Sequence, residues 1–95
     1  MIEEKYLQQI KNRIFEFSQN KNLQVFVFGS SLNKKHFGDI DLGIMGNIKD
    51  KDILKLKENF ENSTLPYFVD VINFNKVSKK FENNIFNNKI LWIKH

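Results

Sequence analysis

Leu23-Gln-Val-Phe-Val-Phe-Gly-Ser30 and Asp39-Ile-Asp-Leu-Gly-Ile-Met45 carry the strongest structural signals of this chain. The first is β-branched and aromatic, almost continuously apolar and ended by Gly29, which predicts a buried strand. The second alternates an acid or glycine with an aliphatic at each step, the period of a strand with two unlike faces. Between them, Ser30 to Gly38 reads as a polar connecting segment. Successive side chains of a strand point to opposite sides, so Asp39 and Asp41 project together while Ile40, Leu42 and Ile44 project the other way.

Upstream, Ile2, Tyr6, Leu7, Ile10, Ile14 and Phe17 recur at helical spacing and predict an amphipathic helix from Glu3 to about Gln19. Downstream, Asp50 or Asp52 is placed to cap a helix running to about Glu61, with Ile53, Leu56 and Phe60 on one face. Pro66 is read as opening a third strand over Tyr67 to Phe74, where its missing N–H costs no ladder bond. A short helix from about Ser78 to Phe86 follows, and Asn88 to Lys94 is read as a last short strand that packs Trp92. The predicted order is helix, strand, strand, helix, strand, helix, strand. No repeat or linker divides the chain, and 95 residues suit one domain over residues 1–95.

Composition narrows the function classes. Without cysteine there is no disulfide, thiol nucleophile or thiolate zinc site. Apolar runs such as Val25 to Phe28 and Ile90 to Ile93 are far too short for a bilayer, and Glu3 and Glu4 do not suit a signal peptide. A cytoplasmic protein without membrane attachment is the expectation. The net charge of +4 arises from fifteen Lys and Arg scattered among eleven acids. Lacking an Arg-rich stripe, the chain is not expected to bind nucleic acid directly.

The acids carry the chemistry. Two like charges as close as Asp39 and Asp41 oppose each other, and one tends to keep its proton unless a cation sits between them. Oxygen ligands two residues apart on a strand suit Mg²⁺ or Mn²⁺; a merely solvated face is the plain alternative. Gly29 lets the chain turn sharply, so that the amides and the Ser30 hydroxyl can face an anion, unless this is only a strand-ending turn. Asp70 is the lone acid in the apolar run Phe68 to Ile72. Buried, it needs a cation or hydrogen-bond donors; on an edge strand it faces water.

Phe28-Gly29-Ser30, then Asp39-Ile40-Asp41-Leu42, then Val69-Asp70-Val71 resembles the minimal nucleotidyltransferase (MNT) domain of the DNA polymerase β superfamily, as found in the antitoxins of HEPN/MNT toxin–antitoxin pairs. Phe81 to Ile85 and Asn88 to Trp92 are similar to the helix and strand with which such chains end, so the resemblance runs from about Leu23 to Trp92. It implies an α+β fold, a two-layer α/β body with a small mixed sheet flanked by helices. It also implies Mg²⁺-dependent transfer of AMP from ATP to an acceptor hydroxyl, most simply a tyrosine of a small helical HEPN-type toxin. Asp39, Asp41 and Asp70 are then the catalytic metal ligands for two Mg²⁺ ions, with Mn²⁺ as a substitute, and Asp70 also takes the acceptor's proton. Gly29 and Ser30 hold the β- and γ-phosphates.

The chain departs from that pattern in one place. The loop 31–38 is shorter than the usual one, Gly38 replaces a common serine, and Ser31-Leu32 stands where a basic residue often follows Gly-Ser. These departures motivate a second expectation, a protein of the same fold that neutralises its partner by binding alone.

Overall fold

Hydrophobic period governs each element of the computed structural model, which describes residues 2–95. The helical stripe becomes α1 (Glu4–Phe17), the continuous apolar run β1 (Leu23–Phe28) and the alternating run β2 (Asp39–Gly46). They are followed by α2 (Asp50–Glu61), β3 (Phe68–Asn73), α3 (Lys79–Phe86) and β4 (Leu91–Lys94). The four strands form one mixed sheet in the order β3-β2-β1-β4. β1 is antiparallel to both β2 and β4, whereas β3 runs parallel to β2, with α2 as the crossover between them.

On one face of the sheet, Val25 and Val27 of β1, Ile40, Leu42 and Ile44 of β2, and Val69 and Val71 of β3 are buried against Ile10 and Ile14 of α1 and Leu56 and Phe60 of α2. This sheet and helix pair is the expected two-layer body. The second face carries an aromatic cluster of Phe26, Phe28 and Phe74, on which Ile85 and Phe86 of α3 and Trp92 of β4 pack. The ring of Phe26 lies 4.8 Å from that of Phe74 and 5.3 Å from that of Trp92. Gly43 makes this possible, because a Cβ there would collide with the Phe26 ring and stand 2.8 Å from Cε1 of Phe74.

Several details differ from the sequence reading, among them the start of β4, at Leu91 and not Asn88. Ser30–Leu32 is a short 3₁₀ turn inside the segment expected to be irregular, closed by the Leu32 N–H donating to the Gly29 carbonyl at 3.2 Å. Lys49, not Asp50 or Asp52, is the N-cap of α2; Asp52 lies in the first turn, where its carboxylate accepts from the Lys49 N–H at 3.2 Å. β3 starts at Phe68 rather than at Pro66–Tyr67. Its first bond runs from the Phe68 N–H to the Gly38 carbonyl at 2.9 Å, a bond that proline has no N–H to make.

Candidate active site

Strand register places the acids. In the parallel β2–β3 pair Asp41 stands opposite Asp70, and Asp39 opposite Phe68. Since Phe26 lies opposite Gly43 and Ile72 also packs on the aromatic cluster, alternation puts Asp39, Asp41 and Asp70 on the second face of the sheet. Cover from the aromatic cluster and α3 stops short of them, and Asp39 and Asp70 are exposed while Asp41 is half-buried. The costly burial considered for Asp70 does not arise, because β3 is the edge strand and its acid meets water.

Electrostatics single out Asp41. Burial pushes its pKa up from the ordinary value of 3.8, and the charges of Asp70 and Asp39 push it further the same way. A site whose central carboxylate is burdened by two like charges is relieved by a cation. The donor set is oxygen only, which suits a hard ion such as Mg²⁺. Among the described residues, however, no three acidic or histidine side chains are already drawn together tightly enough to grip a metal. The strands set the three carboxylates as neighbours; closing them on an ion takes side-chain rotation.

β1 brings the glycine turn to the same place. Phe28 is the register partner of Asp41, and Gly29 follows with φ +88°, a conformation that L side chains rarely adopt. A Cβ at Gly29 would also meet Oδ2 of Asp41, the rotatable end of that side chain, so it is the positive φ that calls for glycine. The chain then enters the 3₁₀ turn, whose first amides have no carbonyl partner within the turn. Ser30, next after Gly29, is exposed, whereas Ser31 is buried with its Oγ lacking a hydrogen-bond partner among the described residues. All five residues singled out in the sequence are therefore gathered near one end of the neighbouring strands β1, β2 and β3. His36 is exposed in the loop before β2. Phe68, which the sequence reading passed over, shares this face; its position two residues before Asp70 was the available signal.

The family model for polymerase β nucleotidyltransferases matches residues 8–95. The chain belongs to this family. Solved structures similar to this nucleotidyltransferase include a tri-AMPylated Shewanella oneidensis HEPN toxin in complex with an MNT antitoxin, at 17% identity and a TM-score of 0.63 over 92% of this chain and 71% of that one. A toxin–antitoxin crystal structure with AMP-PNP matches at 19% identity and a TM-score of 0.65, over 87% of this chain and 71% of that one. A further Shewanella oneidensis structure matches at 17% identity and a TM-score of 0.65 over 95% of this chain and 72% of that one. At these identities the likeness establishes the shared fold. Comparison with curated proteins gives no match. No described helix of the nucleotidyltransferase is long and apolar enough to cross a membrane.

Proposed function

We propose that the protein transfers AMP from ATP to an acceptor hydroxyl, with a tyrosine of a HEPN-type toxin as the acceptor, in the manner of an antitoxin. The observation that carries the reading is the convergence of three carboxylates and a glycine turn at one strand end of a polymerase β nucleotidyltransferase fold. Support for the partner and the nucleotide comes from two structural neighbours, one a complex with a tri-AMPylated HEPN toxin and the other a complex with AMP-PNP.

In the proposed reaction the acceptor oxygen forms a bond to the α-phosphorus, the bond from that phosphorus to the bridging oxygen breaks, and pyrophosphate leaves. Asp39, Asp41 and Asp70 would hold Mg²⁺, which when bound neutralises the triphosphate and the charge that develops on the reacting oxygens. Gly29 and Ser30 seat the β- and γ-phosphates: the glycine admits them close to the backbone, and the Ser30 hydroxyl donates to them. Asp70, exposed at the edge, takes the proton of the acceptor hydroxyl on its carboxylate.

Incubation with α-labelled ATP, Mg²⁺ and a HEPN-type toxin is expected to label the toxin. Full labelling after Asp39→Ala and Asp41→Ala together would refute the reading. A second reading, neutralisation by binding alone, is favoured by the short loop 31–38 and by Ser31-Leu32, which put no basic side chain directly after Gly29-Ser30. Calorimetry with Mg²⁺ and AMP-PNP separates the two, since a pure binding partner gives no heat of nucleotide binding.

A further inference from the structure

In-line displacement at phosphorus puts the attacking and departing oxygens on opposite sides of the reacting centre. With the pyrophosphate at Gly29 and Ser30, on the β1 side of Asp41, the acceptor must arrive from the β3 side. That side is the sheet's edge and carries Phe68. Strand alternation sets Phe68 on the face of Asp70, about 7 Å away along the backbone, with Asp39 as its register partner. Phe68 is 64% exposed. Among the described residues the other large exposed apolar side chains, Phe15, Leu54 and Phe81, sit on helices, and Phe68 is the one carried by a strand. Beside it, Leu65 and Pro66 border a groove of about 380 Å³ that opens on the other face of the edge, over Phe60 and Val69, and none of the three acids lines it.

We propose that Phe68 is the acceptor-binding wall of the site: the ring of a phenolic acceptor lies against the Phe68 ring and presents its hydroxyl to Asp70. The inference rests on the nucleotidyl-transfer reading and adds a preference to it. The separation between Phe68 and Asp70 is one that a phenol ring and a carboxylate side chain bridge together. The short hydroxyl arm of serine or threonine has no ring for Phe68 to hold, so tyrosine is selected over both. The nucleobase belongs elsewhere, because the α-phosphate lies between it and the acceptor.

The test is a steady-state comparison of wild type, Phe68→Ala and Phe68→Trp with ATP, Mg²⁺ and a capped tyrosine peptide. Phe68→Ala is expected to raise the KM for the peptide about tenfold with kcat within about twofold, and Phe68→Trp to restore it, as for loss and return of one aromatic contact. The Kd for AMP-PNP should stay unchanged in both variants. An unchanged KM, or a weakened AMP-PNP affinity that marks the ring as a base platform, would overturn the inference. Should wild type transfer AMP to no acceptor, the functional reading fails by itself, and a second measurement decides the inference separately. N-acetyl-tyrosinamide titrated into the AMP-PNP complex should shift the Phe68 ring resonances, and their standing still would overturn it. Phe68 being exposed, the variants should melt with wild type.

Discussion

At the scale of single residues, Asp41 and Gly29 bear opposite kinds of constraint. Asp41 holds its proton more tightly in the folded chain than in the unfolded one, so in metal-free protein its ionised form opposes folding. That opposition is absent well below pH 3.8 and grows as the pH rises through the raised folded value. Asp41→Asn should therefore raise the melting temperature of metal-free protein at neutral pH, with the gain fading as the pH is lowered toward 3.8. Mg²⁺ should stabilise wild type and leave the variant unmoved; scanning calorimetry across pH with and without Mg²⁺ checks both. Gly29 has no such latitude. Gly29→Ala strains a residue at φ +88° and drives a methyl into Asp41, for an expected loss of about 1–3 kcal/mol in denaturant unfolding. The loss should be smaller in an Asp41→Ala background, since the collision partner is then gone.

At the scale of elements, the two faces of the sheet divide stability from chemistry. Helices α1 and α2 cover the first face completely, while the aromatic cluster under α3 covers only part of the second and leaves the acids in water. Phe26 anchors that cluster, fully buried against Phe74, Phe86 and Trp92. Phe26→Ala should cost about 3–5 kcal/mol in urea unfolding. Because β2 and β1 run beneath both cluster and acids, the variant should also loosen Mg²⁺ binding without touching a ligand. Both strands were legible in the sequence because their periods are unambiguous, continuous for a strand buried on two faces and alternating for one with a wet face. Cap and turn details were not. Asp50 and Asp52 are equally good caps by type, and only the extended backbone at Lys49 decides that neither serves. Likewise, nothing local in Ser30-Ser31-Leu32 announces a 3₁₀ turn, which exists because Gly29 reverses the chain and Leu32 finds the core.

At the scale of the molecule, the chain order turns three separate motifs into one site. Pairing of β1 with β2 carries the glycine turn to Asp41, and the α2 crossover returns β3 parallel to β2 so that Asp70 stands across from Asp41. The sequence showed that the motifs exist and that Asp39 and Asp41 share a face. Pairing across the sheet belongs to tertiary structure, and only there does Phe68 acquire Asp39 as a neighbour. On the proposed reading this site moves an adenylyl group to a protein hydroxyl instead of merely holding a partner. The most direct test measures, in one mixture of the protein, ATP, Mg²⁺ and a HEPN-type toxin, the pyrophosphate released and the adenylyl groups gained by the toxin, the latter by intact mass. The two are expected to rise together in equal amounts with wild type and both to be lost with Asp41→Asn. Adenylylated toxin without matching pyrophosphate, undiminished transfer by Asp41→Asn, or a toxin bound and inhibited with no gain in mass would contradict that reading.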